Sequence, residues 1–387
     1  MNAPLPPPVD MIRRLIATPS VSSTQPELDT SNRPVLELLA NWLEPLGFAV
    51  RLEPLPEDPA KANLIAVLGR GEGGLVLAGH ADTVPYDSQG WRFDPFAGVV
   101  EDERIFGLGS ADMKSFLALA ATAAASFRAD QLRRPLVLVA TADEETSMAG
   151  ARALAAASAP LGRYAIIGEP TGLRPVRMHK GILMERLRIF GRSGHSSNPA
   201  LGSNAMEGMH RVIAALLALR AQWQATHRDT AFAVPGPTLN LGHIRGGDNP
   251  NRICAQCELH FDLRPLPGMA PDTLRERLQQ EIATALEGSG LRFELTPLTP
   301  PVPPAATAAG SRIVQVTEAL TGAPAEAVSF ATEAPFFNAL GLDSIVLGPG
   351  DIAVAHQPDE HLPLDTLAPT VALLHQAIHR CCIDDAD

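Results

Sequence analysis

Four short apolar runs set the frame of this chain, at residues 75–79 (LVLAG), 136–140 (LVLVA), 164–168 (YAIIG) and 344–347 (SIVL). Runs of that length without alternation read as strands buried on both faces, so helices must pack on either side of the sheet. Helix-forming stretches fall around and between them, at 34–46, 111–127, 148–157, 311–321 and 366–379, which is the alternation of an α/β fold. The ends of the runs are unusual. His80 follows the first, Asp143, Glu144 and Glu145 the second, and Glu169 the third. Three consecutive carboxylates at the end of a buried strand repel one another, and burial makes that worse. Such a stretch needs positive charge facing it.

The 387 residues exceed one typical domain and suit two. A net charge of −12 argues against nucleic acid or an anionic membrane as a partner. No segment approaches the ~20 apolar residues that span a bilayer. The opening MNAPLPPPVD lacks the basic and then apolar order of a secretory signal. Four cysteines in so long a chain do not make a disulfide framework. The expectation is a cytoplasmic protein.

From about residue 179 the pattern changes. An alternating strand (182–190), a long amphipathic helix (203–224), two strands (238–244 and 254–263) joined by GGDNPNR, a helix (271–286) and a last strand (291–296) follow in turn. That order, βαββαβ, is the ferredoxin-like split unit. The Pro-rich stretch 298–310 reads as the return linker. The expected architecture is therefore a mixed sheet flanked by helices, built from residues 1–178 and 298–387, with a ferredoxin-like domain of residues 179–297 inserted into it.

Ligands in open α/β sheets bind beyond the ends of the strands, where the candidate residues cluster. Asp82 lies two residues after His80, so both side chains can point the same way in an extended segment. A carboxylate beside a ligand histidine fixes its tautomer. Asp112, in GLGSADMK, follows a glycine-rich turn and opens a helix with Ser110 as its cap; the spacing is not that of a phosphate loop. In an extended segment Glu144 and Glu145 point opposite ways, so one can bind a cation while the other faces a substrate. Glu169 sits in IIGEPT and His356 in AHQPDE, with His361 and His375 as rivals to His356. Two histidines and three carboxylates make a mixed nitrogen and oxygen donor set, suited to zinc, cobalt or manganese rather than calcium. If Asp112 bridges, each of two metals has one histidine, the shared aspartate and one glutamate, which is a hydrolytic arrangement.

The runs GHADTVP, GLGSADMK, ATADEETSMAGA, IIGEPT, GRSGHSSNP and AHQPDE together resemble the two-metal metallopeptidase-like deacylases, along nearly the whole chain. The resemblance implies a metal-dependent amide hydrolase with two divalent ions, Zn²⁺ first and Co²⁺ as the alternative. His80, Asp112 and Glu169 would hold one ion, and Asp112, Glu145 and His356 the other. Glu144 would be the general base and Asp82 would orient His80. His195, in the inserted domain, would reach across a homodimer to stabilise the oxyanion. Asn251 and Arg264 are similar to positions that hold the oxyanion or the substrate carboxylate, with Arg252 as a rival for the carboxylate. The implied substrate is a small N-acetyl amino acid, N2-acetyl-L-ornithine in the first place. Apart from the resemblance, the acidic Glu333, in ATEAPFF, is a candidate to meet the side-chain ammonium of ornithine. N-acetylcitrulline, another N-acyl amino acid or a small peptide is the alternative. The C-x-x-C of Cys254 and Cys257 falls in an expected strand, where the two would face opposite sides, and reads as packing. Asp143 has no role in this reading.

Overall fold

The computed structural model describes residues 5–87, 89–159 and 161–384. They divide into two compact units. The first comprises the chain up to Arg177, Thr307–Glu326 and the chain from Thr332 onward; the second comprises Met178–Ala306 and Ala327–Ala331. The Pro-rich return segment therefore belongs to the second unit as far as Ala306.

In chain order the first unit begins with helices α1 (Pro8–Ile16) and α2 (Arg33–Leu43), then strands β1 (Ala49–Pro54), β2 (Ala62–Leu68) and β3 (Leu75–His80). A small hairpin, β4 (Val99–Glu101) and β5 (Arg104–Phe106), precedes helix α3 (Lys114–Ala124). Strand β6 (Leu136–Thr141), helix α4 (Ala149–Ala157), β7 (Tyr164–Pro170) and β8 (Val176–His179) follow. The second unit holds β9 (Leu183–Phe190), α5 (Ala205–Thr226), β10 (Thr238–Gly246), β11 (Gln256–Arg264), α6 (Pro271–Leu286), β12 (Arg292–Pro297) and β13 (Ala305–Ala306). The chain ends with α7 (Arg312–Thr321), β14 (Glu326–Val328), α8 (Ala334–Ala339), β15 (Asp343–Gly348), β16 (His361–Pro363) and α9 (Leu367–Ile378).

The sheet of the first unit runs β1-β2-β6-β3-β7-β15. The four apolar runs are its parallel core: β3 pairs in parallel with β6 and β7, and β7 with β15. Strands β1 and β2 close one side in antiparallel pairing. Every residue of β3 and β6 is buried, as strands covered on both faces require. Helix α3 covers one face and is itself almost wholly buried, which explains its run of alanines. Two glycines admit it: a Cβ on Gly168 of β7 would fall 1.9 Å from the Phe116 ring, and one on Gly79 of β3 would fall 2.7 Å from Met113.

Helix α3 starts at Lys114, not at residue 111 with Ser110 as cap. The amides of Gly109, Ala111 and Asp112 donate to the Glu360 carboxylate, at 3.2, 2.7 and 3.0 Å, so residues 109–113 form a turn built around that side chain. The segment after β6 is also a turn rather than extended. Asp143 takes a left-handed φ of +55°, and its carbonyl accepts from the amides of Ser147 and Met148.

The second unit is an antiparallel sheet ordered β10-β11-β9-β12, with α5 and α6 packed on one face. That is the ferredoxin-like arrangement. Leu187, Ile189, Leu259, Phe261 and Leu263 point inward against Val212, Leu216, Leu278 and Ile282. The alternate positions, among them Arg186, Arg188, Glu258 and His260, form an open polar face. Cys254 lies before β11 rather than within it, so the opposite-face expectation fails: both Cys254 and Cys257 are buried in this core.

Candidate metal centre

The parallel strands β3, β6 and β7 deliver their polar ends to one edge of the first unit's sheet. His80, the last residue of β3, is fully enclosed. Its Nδ1 donates to the main-chain carbonyl of Asp82 at 3.0 Å, which aims Nε2 at Asp112 Oδ1, 2.9 Å away. The other Asp112 oxygen, Oδ2, lies 3.2 Å from His356 Nε2. One carboxylate is thus divided between two imidazoles, one oxygen to each. His356 Nε2 also lies 3.2 and 3.1 Å from the two oxygens of Glu145. His80, Asp112 and Glu145 each offer a ligand atom within 4.8 Å of the others. Glu169, at the end of β7, is buried with Oε1 lacking any hydrogen-bond partner.

Asp82 does its work differently from the expectation. Its main-chain carbonyl, not its carboxylate, accepts from His80; the carboxylate stands 3.7 Å from Nδ1. That carboxylate instead accepts the amides of Glu144 and Glu145, at 3.3 and 3.1 Å, and so pins the turn that carries both. His361 is not at the cluster: its Nδ1 bonds to the Asp359 carbonyl and its ring packs on Phe106. His375 packs on Phe127.

The charges in this cluster are out of balance. Burial pushes Glu169 well above the usual carboxylate range, and the charge of Asp112 adds to it. Burial does the same to Glu144, against the pull of His80 and with Glu145 and Glu333 adding to the rise. Asp82 is pushed by burial to about 6, although His80 opposes it. For Asp112, burial is outweighed by the hydrogen bonds from His356 and His80, and its carboxyl titrates far below the ordinary value. The same bonds, from Asp112 and Glu145, lift His356 to about 10. Protons on the histidines therefore stand where positive charge is needed. Glu169 Oε1 has no such partner, and a buried unpartnered carboxylate oxygen demands one. The donor set of imidazoles and carboxylates and the split Asp112 both fit a pair of borderline divalent cations.

Asp143 belongs elsewhere. Its Oδ1 accepts from the buried Lys61 ammonium at 2.6 Å and from the Ser22 hydroxyl at 2.7 Å, while Lys61 also reaches Asp29 at 2.7 Å. Burial lowers the Lys61 pKa, but the two carboxylates outweigh it and hold the ammonium above its usual range. So the first of the three carboxylates is neutralised from within the protein. Lys61, Glu360 and Lys114 are absent from the sequence-based set. Glu360 carries the turn of Asp112 and is raised by burial to about 8, with Asp112 adding to the rise. Lys114, fully buried, donates to the carbonyls of Leu15 and Thr18. Of these, Lys114 carried a readable signal, as a lysine two residues after Asp112 in an otherwise apolar helix.

Glu333, just before α8, is completely buried. Its Oε2 accepts from the Thr141 hydroxyl at 2.9 Å and its Oε1 has no partner. Burial lifts it to about 7 against the pull of His80. The remaining candidates lie in the second unit. His195 is exposed and pairs through its backbone with Arg252, and the Ser196 amide donates to the Asn251 carbonyl at 3.0 Å. These three residues share one loop cluster, with Arg252 ion-paired to Asp248 at 2.5 Å. Arg264 lies at the far end of β11 from them and pairs with Asp262 at 2.8 Å.

A mixed sheet carrying this histidine and carboxylate cluster at its strand ends defines a metal-dependent hydrolase, and the chain belongs to peptidase family M20/M25/M40, whose model matches residues 76–380. The acetylornithine deacetylase of Edwardsiella ictaluri (strain 93-146) is 50% identical over 383 residues, covering 99% of this chain and all of that one. Among solved structures, an M20-family metallo-carboxypeptidase of Sulfolobus solfataricus matches with a TM-score of 0.76 at 16% identity, over 97% of this chain and 99% of that one. The YxeP protein of Bacillus subtilis, described as a dinuclear metal-binding peptidase, matches with a TM-score of 0.68 at 16% identity, over 97% of each chain.

The Lys61–Asp143 pair is expected to hold the turn that carries Glu144 and Glu145. Lys61→Met strands two carboxylates and should cost about 3 kcal/mol, since breaking one side of a buried pair leaves the other uncompensated. The Lys61→Met/Asp143→Asn double variant should recover part of that loss in thermal unfolding. A double variant no more stable than the sum of the two singles contradicts the pairing.

Proposed function

We propose that this protein removes the acetyl group from N2-acetyl-L-ornithine, giving acetate and L-ornithine, as a step of arginine biosynthesis in the cytoplasm. The observation that carries the reading is the Asp112 carboxylate divided between His80 and His356, with Glu144 and Glu145 in one turn beside it. The full-length identity to an acetylornithine deacetylase supports the substrate.

His80, Asp112 and Glu169 would hold one divalent ion and Asp112, Glu145 and His356 the other, with Zn²⁺ first and Co²⁺ second in order of fit to the donors. Such a pair, when bound, polarises an amide carbonyl and lowers the pKa of water into the neutral range. The protein's own contribution is the proton path. Glu144 is half-buried and held above the usual carboxylate range, and positive charge in the site lowers it again toward a useful base. It takes the proton of the attacking water and passes it to the amine nitrogen as the carbon–nitrogen bond breaks. Asp82 keeps Glu144 in place through the Glu144 amide. Glu333 is assigned to the side-chain ammonium of ornithine, because its Oε1 still lacks a donor. The reading includes a homodimer formed through the second unit, in which the exposed His195 of one copy stabilises the oxyanion in the other, aided by Asn251 and by Arg252 or Arg264 on the substrate's charged groups.

The division of labour between the two glutamates is testable by metal analysis beside turnover. Glu144→Gln should keep both ions and lose at least a thousandfold in kcat, while Glu145→Ala should lose close to one ion per chain. Equal metal content in the two variants contradicts the assignment. For the substrate, Glu333→Gln should reduce the preference for N-acetylornithine over N-acetylmethionine by about tenfold or more, in the range of a lost charged contact. An unchanged ratio removes Glu333 from recognition, and a wild-type preference for N-acetylmethionine removes ornithine as the substrate.

A further inference from the structure

The open face of the second unit's sheet carries a second group of metal-ligating side chains. His243 on β10 and His260 on β11 are direct cross-strand partners, with ring centroids 4.9 Å apart. The pairing register shifts between Leu241 and His243, a bulge that places His243 opposite His260. Glu258 is two residues before His260 and shares its face, and its Oε1 lies 3.0 Å from His260 Nε2. The other oxygen, Oε2, accepts from the Arg188 guanidinium at 2.7 Å, which fixes the carboxylate with Oε1 turned toward His260. One ligand atom from each of His243, Glu258 and His260 lies within 4.8 Å of the other two.

From this geometry we propose that His243, Glu258 and His260 form a further divalent-cation site, selective for borderline ions of the zinc class. The reading does not rest on the proposed substrate. Two neutral imidazoles and one carboxylate are the donors that zinc, nickel and copper prefer, whereas magnesium and calcium require oxygen cages. Ligand atoms around a tetrahedral zinc lie about 3.3 Å apart, given bonds of about 2.0 Å. Glu258 Oε1 and His260 Nε2, 3.0 Å apart, already stand close to that spacing, and His243 is exposed on the same face. Arg186 and Arg245 occupy the cross-strand positions beside His260 and Glu258, so the site is weaker than the five-residue cluster of the first unit.

Equilibrium dialysis of the zinc-loaded enzyme against rising ZnCl₂ tests the site. The wild type should take up one more Zn²⁺ per chain than His243→Gln or His260→Ala, and Glu258→Gln should weaken that last uptake at least threefold. The His243→Gln protein should keep the wild-type melting temperature and turnover, which separates loss of the ion from loss of the fold. Equal zinc uptake by the wild type and both histidine variants overturns the proposal, as does a wild type that takes up no further ion than its first-unit cluster binds.

Discussion

One carboxylate shared between two imidazoles organises this molecule. Asp112 meets a fully enclosed histidine on one side and an exposed one on the other, so a buried strand end and an exposed loop are tied to the same charge. Around it stand Glu145, Glu169 and Glu144, whose charges would make the cluster untenable without cations, whether protons or metal ions. In the protein alone the protons on His80 and His356 do that work. Metal ligands must release such protons, so the same residues couple metal binding to acidity.

The scaffold meets a different requirement, which is to hold acidic turns in place while they carry that charge. It uses groups that never touch the centre. Glu360 gathers three amides around the Asp112 turn, and the Asp82 carboxylate gathers two around the Glu144–Glu145 turn. Lys61 takes the charge of Asp143, the one carboxylate of the triplet left outside the cluster. The glycines at 79 and 168 let α3 lie close against the strands, which brings Asp112 just ahead of the helix to the ends of β3 and β7. Precision at the centre is thus built from hydrogen bonds to backbone, where side-chain flexibility contributes least.

What the sequence reveals and conceals follows from range. The parallel strands were legible because each is a local apolar run, and their polar ends were legible because they interrupt it. The ferredoxin-like unit was legible because β9 and β11 alternate strictly between core and open face. The turn at residues 143–147 was not: it depends on the sign of φ at Asp143, and an acidic triplet reads equally well as extended chain. Glu360 and Lys61 were hidden because their partners lie 248–251 and 82 residues away in the chain. The start of α3 was misplaced for the same reason, since a distant carboxylate occupies the amides that a helix cap would have used. A two-residue spacing does not tell carbonyl from carboxylate, and it is the Asp82 carbonyl that accepts from His80.

The central claim is that Asp112 bridges two ions and that Glu144 binds neither. An anomalous difference map from crystals of the zinc-loaded protein tests it directly. Two peaks about 3.5–4 Å apart are expected, as in co-catalytic centres, with one Asp112 oxygen on each, His80 and Glu169 at one, His356 and Glu145 at the other, and the Glu144 carboxylate free. A single peak, two peaks without Asp112 in common, or a peak ligated by Glu144 would contradict it.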